Sequence, residues 1–244
     1  MRDGALKKLG IIGGASWSST ALYYEHINRA VAQRQGGLHS ARLLIESLDF
    51  ADYAAFHASE DWDSANQMIV EAAESLNRAG VDGLLLASNT MHKAVGAVSA
   101  ATRLPIVDIR TATADRLAED GRTHVALLGT RFTMTEPFAR ERLDDKGIVV
   151  QQIAPQWITE IDRIIYDELA TGRVVRDSQR KLKTLITEMA KLKVEAIVLA
   201  CTELVLAVDV RANVLPVYDT TAIHARAAVE WMLGGEQEQA RAAA

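Results

Sequence analysis

Cys201 is the one thiol in this chain of 244 residues, and it closes the run Glu195-Ala196-Ile197-Val198-Leu199-Ala200 just before Thr202 and Glu203. An earlier run, Gly83-Leu84-Leu85-Leu86-Ala87, ends in Ser88-Asn89-Thr90. Both read as a buried strand that finishes in a small polar cluster. One cluster carries a thiol, the other a hydroxyl. A free thiol titrates near ~8.5 and becomes a usable base near neutrality when a helix N-terminus or a cation lowers it. A hydroxyl is no base until something activates it. Set face to face, the two ends would hold a base on one side of a substrate carbon and an acid on the other. The plainer reading of a lone cysteine is a small hydrophobe. Its polar neighbours and its polar counterpart shift the balance to chemistry, so Cys201 and Ser88 are the catalytic candidates.

Other residue types narrow that chemistry. Ser88-Asn89-Thr90 suits a helix N-cap. Cap geometry also presents backbone N–H groups that bind carboxylates, and Thr202 would do the same in the later copy. Gly13-Gly14-Ala15-Ser16 follows the first apolar run. Gly10, Gly13 and Gly14 lack the G-x-G-x-x-G spacing, so a tight turn near a small ligand is expected there rather than a dinucleotide site. His26, His39, His57, His92, His124 and His224 are scattered without metal-ligand spacing. His92 follows Ser88 by one helical turn and either orients that cluster or is a core or solvated histidine. No local pattern marks a lysine for pyridoxal phosphate. The expectation is a site with neither metal nor cofactor.

The elements that must position these groups repeat along the chain. Gly13 corresponds to Gly129, Ser88 to Cys201 and Pro105 to Pro216, at offsets of 116, 113 and 111 residues. Three landmarks in one order imply two homologous halves. Apolar runs at 9–13, 42–47, 82–87 and 105–108 alternate with helical patterns, and runs at 124–129, 148–153, 195–200 and 215–218 repeat the plan. Tyr23, Ile27, Ala30 and Val31 mark one helix face. Ser64 and Gln67 have the capping-box spacing for the next helix, and 162–169 and 179–192 read as two more. Strand–helix alternation predicts an α/β fold with parallel sheets and helices on both faces. Ligands in such sheets bind beyond the carboxyl ends of the strands, where Gly13-Gly14, Ser88, Gly129-Thr130 and Cys201 fall.

The totals exclude several classes. The hydrophobic share of 49% and charged share of 24% are those of an ordinary globular protein. A net charge of −5 argues against nucleic acid or an anionic membrane as partner. One cysteine allows no intrachain disulfide, in keeping with a reducing cytoplasm. Residues 1–8 lead only to the short apolar run Leu9–Ile12, which suits neither a signal segment nor a membrane span. The tail, 235–244, is expected to fray.

These residues together resemble the aspartate/glutamate racemase family, whose members need no cofactor. Residues 9–20 look like its opening turn. Asn89-Thr90-Met91-His92 looks like its first site motif and Cys201-Thr202-Glu203 like its second. Ala126-Leu127-Leu128-Gly129-Thr130 and Val217-Tyr218-Asp219-Thr220 also match. The resemblance implies two pseudosymmetric three-layer αβα domains with the active site in an interdomain cleft. It implies a first domain of 1–110 plus 217–244 and a second of 111–216. It implies a cytoplasmic homodimer that interconverts L- and D-aspartate or glutamate. Cys201 would be the thiolate base toward the L enantiomer, with Ser88 on the opposite face. Ala15, His57, Asn89, Thr90, Thr130, Thr202 and Glu203 would bind substrate. Typical members carry a second cysteine where Ser88 stands, so this chain is similar to a broad-specificity branch with a hydroxyl residue there. Many aspartate-specific members also place an arginine after the residue here called Asp49 and a lysine near Ala170. This chain has Phe50 and Ala170, which leaves His57 as a candidate for the distal carboxylate. A cofactor-free decarboxylase or isomerase of the same superfamily, or a non-catalytic amino-acid-binding protein, are the rival readings.

Overall fold

Eight strands build two four-stranded parallel sheets in this computed structural model, which describes residues 6–242 and side chains as far as residue 234. The first sheet has β1 Leu9–Gly13, β2 Leu43–Ser47, β3 Gly83–Leu86 and β4 Ile106–Val107 in the order β2-β1-β3-β4. The second has β5 His124–Leu128, β6 Val149–Val150, β7 Ala196–Leu199 and β8 Val217–Asp219 in the order β6-β5-β7-β8. Numbered within each half, the two orders are the same. The internal repeat of the sequence is therefore a repeat of topology. All eight expected runs are strands. β6 is the most shortened, because Val149 is an exposed edge residue with only one sheet neighbour.

Among the described residues ten α-helices follow the strands. They are α1 Trp17–Gln35, α2 Phe50–Ser59, α3 Trp62–Arg78, α4 Val95–Thr102, α5 Ile109–Glu119, α6 Arg131–Thr135, α7 Glu141–Asp144, α8 Pro155–Arg163, α9 Arg176–Lys191 and α10 Thr220–Ala242. Parallel strands require such crossovers. Alternation along each strand then decides which helix covers which face. In the first sheet Leu9, Ile11 and Leu85 point to one side, with Tyr23, Ile27 and Val31 of α1 and Ala228, Val229 and Met232 of α10. Ile12, Leu84 and Leu86 point to the other, against Ala65, Ile69, Ala72 and Leu76 of α3. In the second sheet Leu128, Ile197 and Leu199 meet Leu182, Leu185 and Ile186 of α9, while Val125, Leu127 and Val198 meet Ala114 and Leu117 of α5. Each half is thus a three-layer αβα unit. Each fully buried Leu, Ile or Val contributes about 1.5–3 kcal/mol to holding these layers. Among the described residues no helix is long and apolar enough to cross a membrane.

Three local expectations are corrected. The cap of α3 is Asp61, whose carboxylate accepts from the Ser64 amide at 3.1 Å, and Gln67 pairs with Glu71 instead of reaching back. An aspartate three residues upstream of Ser64 can start the helix earlier and bury Ala65. The helix expected over 162–169 is divided. α8 ends at Arg163, the chain widens into a π turn over Ile164–Glu168, and a 3-10 turn Leu169–Thr171 follows. The slip lets Ile164, Ile165 and Leu169 all enter the core, while Arg163 Nη1 holds the buried Glu168 carboxylate at 2.8 Å. The tail read as frayed instead continues α10 through Ala242, as its Ala-, Gln- and Glu-rich composition allows. Residues 243–244, like 1–5, lie outside the described residues.

The chain forms two compact units, one running through Asp108 and resuming at His224, the other Ile109–Ile223. The return falls after Ile223 rather than at residue 217, because β8 pairs with β7, Val217 beside Ile197 and Asp219 beside Leu199. The outgoing boundary lies before Ile109, where α5 begins.

His224 is fully buried where α10 rejoins the first unit. A carbonyl can only accept, so Nε2–H donates to the Val107 carbonyl at 2.7 Å, leaving Nδ1 to accept from the Tyr23 hydroxyl at 2.9 Å. Burial pushes His224 down to about 3, with His92 adding to the effect. The unfolded chain therefore takes up a proton here near pH 6.5 that the folded chain refuses until about pH 3. The stability this group contributes is complete above pH 6.5 and is lost as pH falls toward 3. Urea unfolding at a series of pH values should show a slope of up to about 1.4 kcal/mol per pH unit from this group in that window. His224→Gln should remove that component; an unchanged slope would show that other groups set it.

Candidate active site

In the first unit the expected residues gather at neighbouring strand ends. β1 pairs with β3, so the turn after Gly13 lies beside the turn after Leu86. Gly14 has φ +89°, and a Cβ there would lie 2.1 Å from the Leu48 carbonyl oxygen. Only glycine fits that approach. The Gly14 amide donates to Thr20 Oγ1 at 2.9 Å, and that hydroxyl donates to the Ser16 carbonyl at 3.1 Å. The glycine turn is therefore closed against its own chain, and Ala15 packs against the apolar layer under α3.

Ser88 and Asn89 are half-buried and Thr90 is buried. The chain passes from β3 into a 3-10 turn, Thr90–Ala94, and no side chain caps it. The expected Ser/Asn cap is absent because the His92 amide is taken by the Asn89 carbonyl at 3.1 Å. What fixes Ser88 is the buried His92 ring. Its Nδ1–H donates to the Ser88 carbonyl at 2.8 Å, and its Nε2 faces Asp108 Oδ1 at 3.7 Å. The His224 ring stands edge-on to it, centroids 5.7 Å apart. His92 thus orients the strand end, as its spacing suggested. His57 is on α2, buried between the rings of Tyr53 and Trp62, at centroid distances of 4.2 and 5.0 Å.

In the second unit β5 and β7 are paired and their ends converge. A Cβ on Gly129 would lie 2.9 Å from the Ala200 carbonyl oxygen, so this position too is held to glycine by close approach. Thr130 is buried at the start of α6, its hydroxyl 3.2 Å from that of Thr133. Cys201 is extended, φ −144° and ψ 126°, and leads into a 3-10 turn, Thr202–Leu206. Cys201, Thr202 and Glu203 are all buried. The thiol donates to Glu203 Oε2 at 3.0 Å, and the Thr202 hydroxyl donates to the same oxygen at 2.7 Å.

That geometry fixes the resting state. Burial pushes the Cys201 thiol far up, and the Glu203 carboxylate raises it further through its charge and its hydrogen bond. The thiolate expected from the sequence is therefore a neutral thiol at rest, hydrogen-bonded to a ready proton acceptor. The π turn adds Tyr166, half-buried against the core that contains Cys201. Burial raises its phenol well above the usual range, and the charges of Asp162, Cys201 and Glu203 add to it. Asp162 in turn accepts from the Arg131 amide at 2.8 Å. Tyr166 was invisible in the sequence, because a regular helix would have turned it elsewhere. Asp108 carried a signal in the repeat, as the counterpart of Asp219. Among the described residues no three His, Cys, Asp or Glu side chains converge as a metal site.

Known proteins share this fold and family. Residues 12–228 match the family model described as Asp/Glu/Hydantoin racemase. The crystal structure of a proposed Asp/Glu racemase from Yersinia pestis is 40% identical, with TM-score 0.86 over 93% of this chain and 100% of that one. An aspartate racemase homologue from Pyrococcus horikoshii OT3 is 31% identical, with TM-score 0.78 over 93% of this chain and 99% of that one. The broad specificity amino-acid racemase RacX of Bacillus subtilis is 23% identical over 228 residues, 92% of this chain and 98% of its own.

Cys201 is the only thiol, so the difference in ultraviolet absorbance between the native chain and Cys201→Ala reports its ionisation alone. Glu203→Gln should move that ionisation to lower pH by removing the like charge. An unmoved titration would leave burial as the sole cause.

Proposed function

We propose that this chain, which belongs to the Asp/Glu/Hydantoin racemase family, is an amino-acid racemase acting on aspartate or glutamate without a cofactor. The observation that carries the reading is the hydrogen bond of 3.0 Å between Cys201 Sγ and Glu203 Oε2 at the carboxyl end of β7. A thiol buried against a carboxylate is a poor spectator and a good proton relay. The names of the relatives support the substrate class: Asp/Glu racemase, aspartate racemase homologue and broad-specificity amino-acid racemase.

The chemistry follows from the charges. At rest the negative Glu203 keeps the thiol protonated. An amino-acid substrate brings an ammonium group, and a cation beside the thiol favours its ionised form. The thiol proton passes to Glu203, and the thiolate exists only while substrate is bound. It then takes the α-proton of the L enantiomer. The substrate carboxylate becomes enediolate-like and is stabilised by donors at Asn89, Thr90, Thr130 and Thr202. The loss of one such donor costs about 3–4 kcal/mol of barrier in a comparable site. Ser88 returns a proton to the opposite face, directly or through a water molecule; the alkoxide is then reprotonated from solvent and Glu203 releases to solvent the proton it took, which restores the resting state. Enantiomers have equal free energy, so kcat/KM must be equal in the two directions, whatever the difference between thiol and hydroxyl.

The test is carried out in deuterated water with both enantiomers of aspartate and glutamate. The native chain should racemise, and the product should carry solvent deuterium at the α-carbon. Cys201→Ala should lower turnover by about 10²–10⁴-fold, the range of one general acid–base group. Ser88→Ala should still exchange the α-proton of the L enantiomer while failing to racemise it. Retained turnover in Cys201→Ala would falsify the assigned base. Release of CO₂ from a malonate in place of α-exchange would identify a decarboxylase.

A further inference from the structure

We propose that the second unit carries a further ligand site, which takes a free amino acid with an apolar side chain. The proposal does not rest on the racemase reading.

The site is a cavity of about 550 Å³ between α9 and the chain over residues 205–213. That volume falls among those of small-molecule sites. One wall is a single face of α9, made by Gln179, Leu182, Lys183 and Ile186 at helical spacing. The other begins with Val205 and Leu206, on the 3-10 turn that carries Thr202 and Glu203. The apolar lining is continuous with the core. Leu182, Ile186, Ala207 and Val208 belong to the same buried cluster as Cys201. Leu206 and Val210 line the cavity too and are exposed large apolar side chains. Apolar surface left open in a concavity marks a place that a ligand covers.

Two charges of opposite sign, Lys183 and Asp209, line the cavity from different walls. Among the described residues neither is ion-paired, with the other or with any third group. Asp209 Oδ1 accepts from the Arg211 amide at 2.9 Å, which steadies the carboxylate, and its Oδ2 has no partner among the described residues.

This pairing selects the ligand. An aliphatic acid would answer the lysine and set apolar surface against the aspartate. An amine would do the reverse. A zwitterion answers both, its α-carboxylate at Lys183 and its α-ammonium at Asp209, through charge-assisted hydrogen bonds. Its side chain then lies against Leu182, Ile186, Val205 and Val208. A second carboxylate on that side chain would be pressed into apolar lining without a partner, so aspartate and glutamate are excluded here. The ligand of this cavity is therefore not the substrate proposed above, although it touches the turn that bears Glu203.

The experiment is isothermal titration calorimetry with phenylalanine, with 3-phenylpropanoate, which lacks the ammonium, and with 2-phenylethylamine, which lacks the carboxylate. The native chain should bind phenylalanine, and each analogue should bind about 10- to 100-fold more weakly, the effect of one lost charge-assisted hydrogen bond. Lys183→Gln and Asp209→Asn, both at exposed positions, should each weaken phenylalanine by about the same factor. Aspartate should not displace phenylalanine from the native chain. No binding of phenylalanine at millimolar concentration overturns the proposal, as do equal affinities in native chain and both variants. An analogue as tight as phenylalanine overturns the zwitterion assignment and the proposal with it. Displacement by aspartate places phenylalanine elsewhere and overturns it as well.

Discussion

A thiol buried beside a carboxylate cannot rest as a thiolate, and the second half of this protein is arranged around that constraint. Two separate effects raise the Cys201 thiol, removal from water and the charge of Glu203. Either alone would leave a sluggish base. Together they hold the sulfur as the neutral thiol. The same carboxylate that opposes the thiolate also stands ready to take its proton, at 3.0 Å, and is steadied by the Thr202 hydroxyl at 2.7 Å. A sulfur held as the neutral thiol is also protected from oxidation and alkylation between turnovers, since both need the thiolate.

The fold makes this possible by bringing polar groups to strand ends without leaving the strands themselves polar. β3 and β7 are buried along their full lengths, and each is paired on both sides within its sheet. The polar residues begin only where the ladder stops. Gly129 shows how tight that end is: any side chain would strike the Ala200 carbonyl and separate β5 from β7. Thr20 does comparable work in the first unit, closing the Gly14 turn from α1. Both glycines are places where one backbone has to pass close to another.

Much of this was legible in the sequence. Apolar runs and turn residues located all eight strands, because a strand buried on both faces leaves an uninterrupted mark. The repeat supplied the topology. Cys201, Ser88 and Glu203 lie after strands, where those runs put them, and His92 meets the Ser88 carbonyl as its spacing of four suggested. What the sequence did not show were features decided by competition. Ser64 and Asp61 both suit a cap, and the residue that buries Ala65 prevailed. The π turn depends on three apolar side chains reaching one core, a tertiary condition with no local signature. It is also the reason Tyr166 was missed. The resting state of Cys201 was not legible, because a pKa depends on burial and on the direction of a neighbouring carboxylate, and neither is written in spacing.

The two halves share a backbone plan and differ in every polar choice at its key point. The offset that maps Ser88 onto Cys201 maps Thr90 onto Glu203 and His92 onto Val205. In the first unit an imidazole braces the strand end through a carbonyl, and Asp108 faces that imidazole. In the second, the counterpart Asp219 instead accepts from the Thr221 amide at 2.9 Å at the start of α10, and the brace at the strand end is a carboxylate acting on the reactive side chain itself. The imidazole in the first unit holds the backbone carbonyl of Ser88, which fixes the position of that strand end. The carboxylate in the second touches the sulfur, so it sets acidity directly. The duplicated scaffold thus braces one strand end through a backbone carbonyl and the other through the side chain that ends the strand.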